Sequence, residues 1–297
     1  MTVITSHNLT KQYGDKKALD QLTLTINENK IIGIIGRNGA GKTTLLKTCA
    51  GYIKPTSGEL HVWGQQPFDN LQVLSNVIFI DEEVTYDETL KLKDILALGK
   101  IYYARWDEAF AKKLLHYFDL NVKQKYDKLS RGMKTQFNII MGLSSRSPLT
   151  IFDEPTLGLD AAFRKEFYHI LLNDYMKHPR TMMISSHMLH EMENLLEEIV
   201  LIHDGKLVMH DPIDVFQNYG VMLNGKNDQL LPFVENRQVL HQQPLGLSSI
   251  VGIKNDLTEE DLHYLNEHHI DISPMHSEDV CVYLTANGKV GGFDGYQ

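Results

Sequence analysis

The sequence predicts an α/β chain. Its expected parts are a parallel sheet covered by helices, an antiparallel β subdomain, an α-helical subdomain and a small α+β unit at the C-terminal end. Three observations carry this. Short apolar runs alternate with helical stretches through most of the chain, the pattern of a parallel sheet with crossover helices. Strand-like alternations precede the first apolar run, with turns between them, as an antiparallel layer requires. Charge is unevenly placed: from Val221 to Gln297 there are four Lys/Arg against eleven Asp/Glu, −7 of the chain's −9. Such an asymmetry marks a change of domain. The expected division is 1–220 and 221–297.

The elements follow in order. Val3 to Thr10 and Leu22 to Ile26 alternate as half-buried strands, with turns at GDKK and NENK. Ile31 to Ile35 is apolar throughout, as a fully buried strand is. A Gly-rich loop leads into a helix from Lys42 to Ala50, which Gly51 ends. Glu59 to Val62 and Val77 to Ile80 read as short strands, and Leu90–Tyr103 and Asp107–Phe118 as helices. DKLSRGMKTQ opens another helix, with Ser130 as its cap. LTIFDEP is a buried strand, Ala161–Met176 a helix, TMMISS a strand, and MLHEMENLLEE a helix. IVLIHDGKLVMHD closes the region as a hairpin around Asp204-Gly205. Beyond it, SSIVGI and DVCVYLT read as strands, and LTEEDLHYLNEH as a helix capped by Thr258.

Composition excludes several classes. A net charge of −9 argues against a nucleic-acid partner held by a broad basic face. The two cysteines, Cys49 and Cys281, have neither metal nor redox spacing. No apolar run approaches the roughly 18 residues of a membrane helix, and MTVITSHNLTKQYG has no signal-peptide pattern. If the protein serves a membrane, the spanning part is expected on another chain.

Chemistry enters at Gly36 to Thr43, GRNGAGKT, which fits G-x-x-x-x-G-K-[ST] between a predicted strand and a predicted helix. Gly36, Gly39 and Gly41 let backbone N–H groups close around phosphate oxygens. Arg37, Asn38, Ala40 and Thr44 complete the nucleotide-binding loop. Lys42 places a charge on the β and γ oxygens, and the Thr43 hydroxyl can ligate Mg²⁺. LTIFDE ends the later buried strand in two carboxylates. There Asp153 would reach Mg²⁺, and Glu154 would polarise an attacking water.

This ordered set resembles the ATP-binding subunits of ABC transporters over roughly the first 215 residues. Tyr13 in KQYG is similar to the aromatic that stacks on adenine; a strand tyrosine packed on the sheet is the alternative. LSRGM, starting 24 residues before Asp153, resembles the LSGGQ signature. PTLGLD resembles the D-loop, with Asp160. His187, after TMMISS, resembles the switch histidine at the γ-phosphate. The resemblance implies ATP and Mg²⁺ as cofactors and two ATPase domains paired head to tail, as a homodimer or a heterodimer. Ser130 and Gly132 would then clamp the γ-phosphate held by the partner. It also implies a multi-spanning membrane permease as a second partner, at the cytoplasmic face of the membrane. The cassette is similar to ABC-2-type drug and peptide exporters, a group that includes exporters of amphipathic peptides such as phenol-soluble modulins.

Two departures stand out. LSRGM has Arg131 and Met133 where the family most often has Gly and Gln. Aligning on VIFI puts the Q-loop glutamine at Glu82, with Asp81 or Glu83 one register away; a carboxylate there can still ligate Mg²⁺ or a bridging water. His187, His190 and Glu191 have metal-like spacing but no open zinc motif. No N-K-x-D base-reading motif is present, which argues against a GTPase. Soluble ABC ATPases of translation or repair usually carry two cassettes, coiled coils or basic surfaces, none of which the sequence shows. Intact Lys42, Glu154 and His187 weigh against a catalytically dead sensor.

Overall fold

The first strands form a hairpin longer than their apolar alternation marks. In this computed structural model, which describes residues 1–285, β1 (Thr2–Tyr13) and β2 (Lys16–Asn27) pair antiparallel. They turn over at Gly14, whose φ of 56° only glycine adopts without cost. β3 (Ile31–Ile35) is buried at every residue and leads into α1 (Lys42–Cys49). β4 (Ser57–Val62) returns to β1, completing an antiparallel sheet in the order β2-β1-β4.

A one-turn α2 (Leu71–Leu74) precedes β5 (Val77–Ile80). The helical subdomain follows as α3 (Leu92–Tyr102), α4 (Glu108–Tyr117) and α5 (Arg131–Ser144). The side chains of Asp107 and Ser130 cap α4 and α5, accepting N–H groups that a helix start leaves unpaired. Then come β6 (Leu149–Asp153), α6 (Ala161–Lys177), β7 (Thr181–Ser186), α7 (Leu189–Met192), β8 (Glu198–His203) and β9 (Lys206–Pro212). The second sheet runs β5-β6-β7-β3-β8-β9 and is parallel from β5 to β8. β9 turns back from β8 at Asp204-Gly205, both left-handed with φ of 46° and 75°, as a two-residue hairpin needs.

That strand order positions the site. Ile35 lies opposite Ser186, and Asp153 opposite Ser185. The loops after β3, β6 and β7 therefore leave one edge of the sheet side by side, where open α/β sheets bind ligands.

Two expected elements come out differently. MLHEMENLLEE is not one helix: α7 passes into a 3₁₀ turn over Glu193–Leu195, and Leu196 is extended. A tertiary tie ends it, because the Glu197 N–H donates to the Ile31 carbonyl at 2.9 Å and brings β8 beside β3. The other difference lies in the second unit. The described residues divide into two compact units, Met1–His210 and one that begins at Asp211, so position 220 falls inside the latter. It holds α8 (Ile213–Gln217), β10 (Gly220–Lys226), α9 (Asn227–Val234), β11 (Val239–Leu245), β12 (Ser248–Lys254), α10 (Glu259–Glu267), β13 (Asp271–Pro274) and α11 (Ser277–Thr285). Its antiparallel sheet has the order β11-β12-β10-β13. Thr258 and Asp261 form a capping box at the start of α10. DVCVYLT, expected as a strand, lies in helix α11. Ser277 and Val280, one helical turn apart, are buried while Val282 is exposed. Glu278 and Asp279 occupy its first turn, where the helix dipole favours acids.

Candidate active site

The loop between β3 and α1 is shaped by glycines that admit no side chain. Gly41 has φ 112°, and a Cβ there would lie 2.4 Å from the Ala18 carbonyl oxygen. A Cβ on Gly36 would lie 2.4 Å from the Ile202 carbonyl oxygen. The loop is stitched to the β8–β9 hairpin where the Gly205 N–H donates to the Ala40 carbonyl at 2.9 Å. Arg37, Asn38, Gly39 and Thr43 face solvent, and Ala40 is buried. Tyr13, Lys16, Thr44 and Glu154 line one cleft of about 440 Å³ with this loop. The Tyr13 ring is half exposed, with Lys11 Nζ 5.0 Å from its centroid.

Lys42 is 6% exposed, and its ammonium donates to the Gly36 carbonyl at 2.8 Å. Its second partner is Glu154, with Oε1 at 3.3 Å. The other carboxylate oxygen of Glu154, Oε2, lies 2.8 Å from His187 Nδ1. An ionised carboxylate only accepts, so this contact puts the imidazole proton on Nδ1. One carboxylate thus bridges the phosphate-loop lysine and the histidine after β7.

The bridge depends on Ser185, which the sequence reading missed. Glu154 sits in left-handed backbone at φ 49°, an uncommon state for a residue with a side chain. Its N–H donates to Ser185 Oγ at 2.8 Å, and that hydroxyl in turn donates to the Asp153 carboxylate. Asp153 is itself buried. The one sequence signal for Ser185 was its place two residues before His187, opposite Asp153 in a parallel register that no local pattern reveals.

The side chains of the remaining candidates bond outside this core. Ser130 uses its hydroxyl to accept the Met133 N–H at 3.3 Å, capping its own helix. A Cβ on Gly132 would meet only Leu159, at 3.7 Å. Asp160 caps α6 by accepting the Phe163 N–H at 2.8 Å. Glu191 is taken by Arg164, with Nε 2.8 and 2.9 Å from its two oxygens. Glu82 pairs with Arg131 at 2.7 Å, whereas both of its acidic neighbours pair with Lys47 of α1: Asp81 at 3.2 Å and Glu83 at 2.8 Å. That bond to Lys47 holds the Glu83 carboxyl below its ordinary range. Tyr86, in the same loop, packs edge-on against Tyr126.

The donors fit a nucleotide with its metal. Lys42 and the loop's backbone N–H groups would face phosphate, while Thr43 and Asp153 would offer the hard oxygens that Mg²⁺ takes. Comparison with known proteins supports the nucleotide. The family model described as ABC transporter matches residues 19–157. The chain is 34% identical to the bacitracin transport ATP-binding protein BcrA of Bacillus licheniformis, over 72% of this chain and 71% of that protein. It is 27% identical to the lantibiotic transport ATP-binding protein SrtF of Streptococcus pyogenes, over 74% and 95%. A solved structure of an ATP-binding subunit of an ABC transporter superposes with a TM-score of 0.65 at 26% identity, covering 73% of this chain and 92% of that one.

Proposed function

The chain belongs to the ABC transporter family, and from that premise we propose that its ATP site is composite, completed head to tail by a second ATPase subunit. The chain is an ATP-binding and ATP-hydrolysing subunit that powers export through a separate membrane-spanning subunit. In the proposed reading, Gly36 to Thr44 hold the phosphates, Tyr13 stacks on adenine, and Lys42 neutralises the β and γ oxygens. Thr43 and Asp153 would hold Mg²⁺, whose charge would add to that of Lys42 at the phosphates; Glu82, expected as a further donor, is instead paired with Arg131. Ser130 and Gly132 serve the nucleotide of the facing subunit.

The observation that carries this reading is the Glu154 carboxylate between Lys42 and His187. Phosphate oxygens compete with Glu154 for the lysine, so nucleotide binding frees the carboxylate. It then takes a proton from water as the water oxygen bonds to the γ-phosphorus. The bond from that phosphorus to the bridging oxygen breaks, and ADP carries away the electron pair. His187, donating from Nδ1 to Glu154, holds the base in position and presents Nε2 to the γ-phosphate side.

The cargo proposed is a drug or an amphipathic peptide, of which phenol-soluble modulins are the finer candidate. Relatives named for bacitracin transport and lantibiotic transport support the group. The subunit would sit on the cytoplasmic face of the membrane, held by its permease. Among the described residues no helix is long and apolar enough to cross a membrane. The proposed docking face includes α3, which exposes Ile101 and Tyr102. The acidic residues 221–297 are proposed as an accessory domain.

Light scattering on Glu154→Gln tests the site. With ATP and Mg²⁺ a dimer is expected, because binding survives and hydrolysis does not. Adding Ser130→Arg to that variant is expected to abolish the dimer. A dimer indifferent to Ser130→Arg would sink the composite site.

A further inference from the structure

The two departures from the family pattern, 49 positions apart in sequence, meet in space. Arg131, the first residue of α5, donates from Nη2 to Glu82 Oε2 at 2.7 Å. Its guanidinium also lies 3.4 Å from where a Cβ on Gly158 would stand. One ion pair thus joins three segments: the loop after β5, the start of α5, and the loop between Glu154 and Asp160. Together with Glu154 and Leu157, the pair lines a small cleft of about 140 Å³.

Three properties limit what the pair does. Its side chains are 68% and 54% exposed, and ion pairs that open to water add little to fold stability. A cation at the first residue of a helix opposes the helix dipole, and the Glu82 carboxylate offsets it. Finally, Arg131 stands between Ser130 and Gly132, the two residues assigned to a second subunit's phosphate. A guanidinium free to swing there would cover that face or compete for the phosphate.

We propose that Glu82 is a positioning residue for the outer half of the composite site. It holds the Arg131 side chain against its own chain, over Gly158, and so keeps the Ser130–Gly132 turn open to the facing nucleotide. The inference rests on the head-to-tail reading above and adds a residue to it.

Epistasis tests it, in the full chain carrying Glu154→Gln. Glu82→Gln is expected to raise the ATP needed for half-maximal dimerisation about fivefold, the upper range for an exposed ion pair. Its melting temperature should stay with the parent, as should that of Arg131→Gly. In the Arg131→Gly background the same Glu82→Gln change should have no effect, because nothing remains to be held aside. An equal loss in both backgrounds would mean that Glu82 acts on its own nucleotide, and no loss in either would mean that it positions nothing; both overturn the proposal. The Arg131 Nε–H resonance of the nucleotide-free protein reads the pair without any dimer. It should move in Glu82→Gln, and an unmoved signal overturns the proposal even where the parent fails to dimerise and the head-to-tail reading falls by itself.

Discussion

At the end of β6 the backbone turns left-handed at Glu154, a conformation that costs a residue with a side chain about 1 kcal/mol. The Ser185 hydroxyl offsets it by accepting the Glu154 N–H while donating to Asp153. The strain aims a carboxylate between Lys42 and His187, and each partner can be removed separately. His187→Ala removes the group that orients the base and leaves the phosphate loop intact. Turnover is expected to fall about 10²-fold, with ATP affinity unchanged; single-turnover hydrolysis and equilibrium binding would separate the two, and full turnover would release His187 from the site. A second residue-scale effect lies on the buried side of α1. Burial pushes the Cys49 thiol up to about 12. The folded chain therefore keeps a proton that the unfolded chain loses above the thiol's ordinary value of 9.0. That share of stability is whole below the ordinary value and is lost as pH rises from it toward about 12. Thiol reagent at neutral pH should spare Cys49 until denaturant is added; native labelling would contradict its burial.

The helices are tied to the sheet through one carboxylate. Asp174 of α6 is 4% exposed and accepts from Arg146, the loop residue after α5, while Arg180, at the entry to β7, pairs with its other oxygen at 3.0 Å. Arg146 reaches on to Asp107, the cap of α4, at 2.9 Å. Burial pulls the Arg180 guanidinium below its ordinary range, so the shared carboxylate offsets a real desolvation penalty. Asp174→Asn leaves two guanidinium groups without that charge, and a loss of about 3–5 kcal/mol is expected in denaturant unfolding. A loss under about 1 kcal/mol would place the network among the weak surface pairs. None of this was legible in the sequence, because its members lie far apart and each is an ordinary surface type. The phosphate loop was legible because its parts are contiguous and their spacing is the chemistry. Caps such as Ser130 and Thr258 were legible for the same reason. DVCVYLT misled because its β-branched and aromatic residues suit a strand, while the acids before them and the burial of Ser277 and Val280 make a helix.

At the scale of the whole molecule, the composite site proposed above assigns the phosphate loop and the signature turn to different halves of the work. In the proposed site Lys42 and Glu154 act on the nucleotide of their own chain, while Ser130 and Gly132, at the start of α5 and outside the cleft around the phosphate loop, serve the facing one. If two copies pair head to tail, each site takes its lysine from one chain and its serine from the other. Two inert variants then contain one working site between them. Lys42→Ala spoils the phosphate loop and keeps the signature; Ser130→Arg spoils the signature and keeps the loop. In a mixed dimer, the loop of the second chain faces the signature of the first, and that site is complete. Equal mixing of non-interacting copies gives mixed dimers as half of the total, so ATP hydrolysis should rise well above either variant alone. Differently tagged copies would show by pull-down that mixed dimers have formed. Mixed dimers without any gain in turnover would contradict the shared site, whereas two variants that never co-purify would assign the facing half to a different ATPase chain.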